Sequence, residues 1–309
     1  MPKPRLTKPG AEKGPFRPDR ILTFTVPEGE GPRRLLEFLL AAMPDRKRTT
    51  VKDFLKHNQV MAGRTVTRQW DLELQPGDVV SVNTTREFQT FRNPRLSIVY
   101  EDDAIIVVNK GYGLLSMGTD RKHEGTAYWL LRDYVKRQDP RNKLFIVHRL
   151  DQQTSGLMVF ARTVEAKEGL QHNWNNMVLD RRYVAVVEGA PEPAEGEVRS
   201  FLAENQAHEV YVTENPREGK EALTRYKTLR TRGKYSLVEL SLETGRKNQI
   251  RVHMQQLGTP ISGDRRYGGS ASPIHRLALH ARTLRFIHPI TRRDMNFSTP
   301  VPAAFLTLL

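Results

Sequence analysis

From Ser97 onward the chain alternates between short apolar runs and turns, and this pattern restricts its fold more than any other feature. Runs rich in β-branched and aromatic residues at 98–100, 105–108, 145–147, 157–160, 183–187 and 235–242 have the character of strands. Helical spacing is confined to 126–138, 164–176 and 248–257. Many strands with few helices between them do not build an alternating parallel array. The expected class is α+β: a mixed, mostly antiparallel β-sheet with flanking helices, occupying residues 97–309. The glycine-rich phosphate motifs G-x-G-x-x-G and G-x-x-x-x-G-K-[ST] are missing from the sequence, so no nucleotide cofactor is expected.

Residues ahead of this region have a different texture. Residues 1–20 hold six basic and two acidic side chains among prolines and form an expected basic, flexible tail. Residues 21–86 are expected to form a small α+β domain. Leu35, Leu36, Phe38, Leu39, Leu40 and Met43 recur at helical spacing. Thr49 or Thr50 is a candidate cap for a second helix through Val51, Phe54 and Leu55. Strand-like pieces follow at 59–61, 65–67 and 78–82, divided by turns at Ala62-Gly63 and Pro76-Gly77-Asp78. Arg48, Lys52 and Lys56 repeat every four residues and share a helix face that could track a phosphate backbone. The stretches RRLLEFLLAAMPDRKRTTVKDFLKHNQVMAGRTV and LQPGDVVSV resemble the S4 RNA-binding module. That resemblance implies RNA contacts from Arg48, Lys52, Lys56 and Arg64. Residues 87–96 have the composition of a linker.

Composition narrows the function. The 309 residues include no cysteine, which excludes thiolate catalysis, disulfides and cysteine-held metal clusters. The nine histidines form no H-E-x-x-H pattern, so no metal site is expected. No run approaches the ~20 apolar residues of a membrane span, and the N-terminal residues lack the apolar stretch of a secretory signal. The expectation is a cytoplasmic monomer without membrane contact. Forty-nine basic against 35 acidic residues give a net charge of +14, which points to a polyanion as partner, nucleic acid first. Residues 191–221 depart from this, with eight acids and three bases, and are expected to be an exposed insertion or connection.

Three blocks carry candidate chemistry. In HRLDQQTSGLMVFAR, residues 148–162, a strand runs into a polar turn that places Asp151 at a strand end. In LETGRKNQIRVHMQQLGTPISGDRRYGG, residues 242–269, a turn containing Arg246 leads into a short helix carrying Arg251. In DRRYVAVV, residues 180–187, Tyr183 begins an alternating strand and is of the type that stacks on a nucleobase. Alone, each has a plain structural alternative: a turn aspartate, a surface arginine, a packed tyrosine.

Together the blocks resemble the RluA-type pseudouridine synthases, which isomerise uridine in ribosomal and transfer RNA. HRLD-x-x-T-S-G-L, TGR-x-x-QIRVH, LG-x-P-I-x-GD-x-x-YG and LALHARTLRFIHP occur in order. The resemblance spans roughly residues 97–300. It implies that Asp151 is the essential carboxylate, that Arg149 intrudes into RNA when the target base leaves the stack, that Tyr183 packs on uracil and that Arg251 pairs with Asp151. Three departures stand out: Asn109-Lys110-Gly111 where the family has Asn-Lys-Pro, Lys247-Asn248 for Thr-His, and Arg181 for lysine.

The chemistry that follows from the resemblance needs no cofactor. Uridine and pseudouridine are isomers, so no electrons are gained or lost. The base must be flipped out at a cost of ~a few kcal/mol, and an aromatic face returns ~1–3 kcal/mol. An arginine within ~4–6 Å keeps a carboxylate charged. Large-subunit ribosomal RNA is the expected substrate, with transfer RNA as the alternative. A catalytically silent RNA-binding protein would be expected to lose Asp151 or Tyr183, and a glycoside hydrolase needs two carboxylates. Asp264 is the only other candidate carboxylate in the blocks, and it has the setting of a turn residue.

Overall fold

The computed structural model describes residues 20–29, 32–63, 65–118, 124–172 and 174–309. The expected basic tail, apart from Arg20, and Arg64 lie outside the described residues. The chain divides into two compact units, the first ending at Thr90 and the second running Phe91–Leu309.

In the first unit, helices Leu35–Ala42 and Arg48–Lys56 share a core with a four-stranded sheet. Leu35, Leu36, Phe38 and Leu39 from one helix meet Val51, Phe54 and Leu55 from the other, over Val60, Val80 and Val82. Strands Ile21–Thr25, Val79–Asn83, Val60–Ala62 and Thr65–Val66 lie in that order. The second helix begins at Arg48 with Lys47 as its capping position and no side-chain cap. Thr49 and Thr50 therefore sit inside the first turn rather than ahead of it. Arg48, Lys52 and Lys56 are exposed on the face opposite the core.

In the second unit, eleven strands of the described residues form one sheet. Its path runs Val210–Thr213, Glu195–Glu204, Lys220–Arg232, Tyr235–Leu242, Val178–Glu188, Leu279–Ile287, Ser155–Ala161, Ile105–Lys110 and Leu96–Glu101. Strand Asp294–Ser298 pairs with Leu279–Ile287, and Phe145–Ile146 with Ser155–Ala161. Sheet neighbours are antiparallel except where Ser155–Ala161 meets Leu279–Ile287 in parallel.

The apolar runs follow from burial on both faces. Ile106, Val108, Met158 and Phe160 pack with Leu131 and Val135 of helix Ala127–Gln138 on one side. Their neighbours Ile105, Val107, Leu157 and Val159 pack with Ala166 and Leu170 of helix Val164–His172 on the other. A strand covered on both faces shows a continuous apolar run because each alternate position enters a core. The Thr126 hydroxyl accepts the Trp129 N–H at 3.2 Å and caps the first of these helices.

The parallel seam joins the two halves of the sheet through two residue pairs, Ser155 with His280 and Gly156 with Ala281. Gly156 has φ +118°, and a Cβ there would lie 2.2 Å from the Ala281 carbonyl oxygen. Only glycine admits this backbone approach. Ala281 pairs on its other side with Tyr183. Gly156, Ala281 and Tyr183 are thus lateral neighbours, and the turn carrying Asp151 is delivered next to the strand carrying Tyr183.

Two expectations need correction. Residues 191–221 are not a loose insertion: Glu195–Glu204 and Val210–Thr213 are strands at one end of the sheet, and Lys220–Arg232 begins there too. Val198, Leu202 and Val210 are buried, and the acids are matched by bases, Glu221 with Arg199, Glu195 with Lys227 and Glu204 with Lys247. The surplus of acids hid a strand alternation, part of whose counter-charge, Lys227 and Lys247, lies on later segments. The end of 87–96 is not linker either. Phe91 packs edge-on against Tyr134 at 5.4 Å, and Leu96 is buried as the first residue of a strand. Gly111, where the family has proline, donates its N–H to the Arg95 carbonyl at 2.7 Å, a bond that proline could not make.

Gly156→Ala is expected to destabilise the second unit by at least ~4 kcal/mol, in the exceptional range for one substitution. Denaturant unfolding of the full chain checks this, and a loss below ~1 kcal/mol would show that the seam tolerates a side chain.

Candidate active site

Asp151 lies in the turn between the paired strands Phe145–Ile146 and Ser155–Ala161, and the neighbouring backbone is pinned on both sides. The Ser116 hydroxyl donates to the Leu150 carbonyl at 2.6 Å and accepts the Leu150 N–H at 3.1 Å. The Gln152 carbonyl accepts the Gly113 N–H at 2.9 Å, and Gln152 Nε2 donates to the Gly113 carbonyl at 3.2 Å. Thr154 N–H closes the turn on the Asp151 carbonyl at 3.1 Å. The Asp151 side chain keeps 29% exposure, so it is accessible but held by a rigid frame.

Lys110 lies beneath this turn, fully buried. Its Nζ donates to the Leu114 carbonyl at 2.8 Å, with longer contacts to the carbonyls of Gly111 and Gln152. Burial pulls its pKa from 10.5 down to about 7, against the pull of the Asp151 charge and with help from Arg276.

Arg251 comes from helix Gln249–Gln256, whose capping residue Asn248 has a left-handed backbone with φ +53°. Asparagine tolerates that conformation better than most residues. The Gln249 side chain fixes the preceding turn: its Oε1 accepts from the Thr244 hydroxyl at 2.8 Å and the Arg246 N–H at 3.0 Å. The Arg251 guanidinium is held first by Asp264, with Nε and Nη2 each 2.7 Å from a carboxylate oxygen. It also lies over the Tyr267 ring at 4.8 Å and donates to Asn248 Oδ1 at 3.3 Å. Asn248 Nδ2 in turn donates to the Tyr267 hydroxyl at 3.0 Å. Held in this way, Nη1 lies 3.8 Å from Asp151 Oδ2. Burial alone would lower the Arg251 pKa, but the hydrogen bonds and charge of Asp264, with Asp151 adding, carry the net shift upward.

Tyr183 is set by strand Val178–Glu188 beside an irregularity in its pairing with Leu279–Ile287, between Arg182 and Tyr183. Such irregularities re-aim side chains near active sites. Burial raises its phenol pKa, Arg181 opposes that shift and Asp151 adds to it. Arg149, Asp151, Tyr183, Arg246 and Arg251 all line one cavity of about 200 Å³ that opens to solvent, with Leu242, Leu279 and Lys247. Arg149 is exposed. Arg246 Nε donates to the Glu221 carbonyl at 2.9 Å, and Lys247 pairs with Glu204 at 2.5 Å. Arg48, Lys52 and Lys56 belong to the first unit.

The sequence profile of the family described as RNA pseudouridylate synthase matches residues 104–256. The ribosomal large subunit pseudouridine synthase D of Escherichia coli is 32% identical over 305 residues, covering 93% of each chain. The chain belongs to the RNA pseudouridine synthase family. The enzyme of the same name from Xylella fastidiosa is 33% identical over 304 residues, 92% of this chain and 90% of that one. Among solved structures, human RNA pseudouridylate synthase domain containing 4 superposes with a TM-score of 0.57 at 26% identity, covering 68% of this chain and 90% of that chain. As a pseudouridine synthase the protein is an isomerase. No helix among the described residues is long and apolar enough to cross a membrane.

For this synthase, sequence reasoning undervalued Asp264. It does occupy a turn, accepting the Tyr267 N–H at 3.3 Å, but its carboxylate is fully buried against Arg251. The available signal was the arginine itself: a guanidinium on a buried helix face needs a carboxylate nearby, and Asp264 was the other candidate carboxylate in the blocks.

The Lys110 shift sets a pH dependence. Below about pH 7 the folded and unfolded chains both hold the proton, and between about 7 and 10.5 only the unfolded chain does. Stability therefore rises with pH across that window. Compared with Lys110→Met, wild type is expected to gain unfolding free energy from pH 7 toward 10.5, and a pH-independent difference in denaturant melts would contradict it.

Proposed function

We propose that the enzyme converts uridine to pseudouridine in large-subunit ribosomal RNA, with Asp151 as the reacting carboxylate. The convergence of Asp151, Tyr183 and Arg251 on one cavity carries this reading. The substrate follows from the names of the relatives in Escherichia coli and Xylella fastidiosa.

The reaction breaks the N1–C1′ bond, turns the base and forms a C5–C1′ bond; the proton lost from C5 is matched by one gained at N1. A stacked uridine is beyond reach of Asp151, so the base enters the cavity flipped out of its helix. Tyr183 offers its ring to the uracil face, while Arg149 at the cavity rim fills the gap left in the RNA. Arg251 faces Asp151 at 3.8 Å and sets a positive charge beside it. Whether the carboxylate attacks the sugar or the base, or removes a sugar proton, it acts from this one position. In the first unit, Arg48, Lys52 and Lys56 provide an S4-like basic face for RNA, and Arg246 adds a cation at the cavity. A protein with these roles would work in the cytoplasm, alongside the ribosomal RNA it modifies.

Incubation of the purified enzyme with ribosomal and transfer RNA, followed by chemical mapping of pseudouridine, tests the proposal. New sites in large-subunit RNA that vanish with Asp151→Asn are expected. Sites that persist in that variant would remove Asp151 from the chemistry, and sites only in transfer RNA would overturn the substrate.

A further inference from the structure

Most arginines of the second unit that approach the sheet stand against a carboxylate: Arg162 on Glu101, Arg199 on Glu221, Arg225 on Glu243 and Arg285 on Asp294. Arg181 does not. Among the described residues no carboxylate lies within ion-pair distance of it. Its hydrogen bond is a long one, from Nη2 to the Leu242 carbonyl at 3.5 Å. The guanidinium is partly buried and lies over the Trp174 indole, 5.7 Å from the ring centroid. Burial lowers its pKa, and Glu243 and Tyr183 counter this without direct contact. A desolvated cation without an anion is costly unless something supplies one.

The surroundings indicate which anion fits. A Cβ on Gly245 would lie 2.9 Å from Arg181 Nη1, so the guanidinium occupies space that glycine leaves open. Gly245 lines the cavity that holds Asp151 and Tyr183, which puts the guanidinium at the cavity edge. Arg181 and Tyr183 are two positions apart on one strand, about 7 Å along the backbone, and each acts on the other's pKa. A single nucleotide can reach both. The planar fork of arginine matches two phosphate oxygens, which a lysine ammonium meets only as a point charge.

We propose that Arg181, backed by Trp174 and admitted by Gly245, binds a backbone phosphate of the RNA strand immediately beside the target uridine. The inference rests on the pseudouridine synthase reading and adds a positioning contact to it. Arg181 grips the strand at the linkage next to the base that Tyr183 receives, and so fixes which nucleotide enters.

Arg181→Gln and Arg181→Lys in the full chain test this, with turnover and binding measured on an RNA that wild type modifies. Arg181→Gln is expected to weaken RNA binding roughly tenfold or more, the loss of one charge-assisted contact. It should also reduce the slope of log affinity against log salt by about one. Arg181→Lys should recover the salt slope but only part of the affinity. Neutral methylphosphonate linkages placed singly beside the target uridine identify the partner. One linkage should weaken wild type and leave Arg181→Gln without further loss. Wild-type affinity and salt slope in Arg181→Gln, or equal losses at every linkage in both proteins, would overturn the contact. Failure of wild type to form pseudouridine at all would instead overturn the function.

Discussion

Two hydrogen bonds of 2.7 Å between Arg251 and Asp264 determine where the positive charge of the candidate site can be. Both side chains are nearly sealed from solvent, at 10% and 0% exposure. A buried ion pair of this kind gives little net stability over a well-packed apolar substitute, though losing one partner costs ~3–5 kcal/mol. What it fixes is direction. With Nε and Nη2 committed to Asp264, Nη1 is left facing Asp151 at 3.8 Å and Asn248 at 3.3 Å. Tyr267 supports the guanidinium through its ring and bonds Asn248 through its hydroxyl, so the turn GDRRYG and the helix start KNQ are one assembly.

The other half of the site depends on backbone geometry rather than charge. The parallel seam at Gly156 and Ala281 brings the Asp151 turn next to the Tyr183 strand, and it closes because residue 156 has no side chain. Beneath the same turn, Lys110 ties the backbone of Gln152 to that of Leu114. Asp151 is therefore accessible to a substrate while its main chain has little freedom, the arrangement that positional catalysis requires. Arg251 is delivered by a separate helix, so the two members of this pair are fixed by independent parts of the fold.

Much of this was legible in the sequence because local rules and tertiary outcome agree. Ile105–Lys110 and Ser155–Ala161 are apolar on both faces and are covered on both faces. Arg149, Asp151, Tyr183, Arg246 and Arg251 each occur in a recognisable block, and they line one cavity. What stayed hidden depends on partners far apart in the chain. The strands Glu195–Glu204 and Val210–Thr213 looked like an acidic loop because the bases that offset them, Lys227 and Lys247, lie on later segments. Asp264 looked like a turn residue because it is one, and its second role appears only when the helix carrying Arg251 folds over it. Phe91 looked like linker because its partner, Tyr134, is on a later helix.

We propose that Asp264 acts on the reaction by aiming Arg251 at Asp151. It is tested most directly by steady-state pseudouridine formation with Asp264→Asn, in protein whose thermal melt still shows a cooperative fold. A fall in kcat of about a hundredfold is expected, the scale of a small misplacement at the reacting centre, with KM for RNA close to wild type. An unchanged kcat, or a loss carried by KM alone, would contradict it.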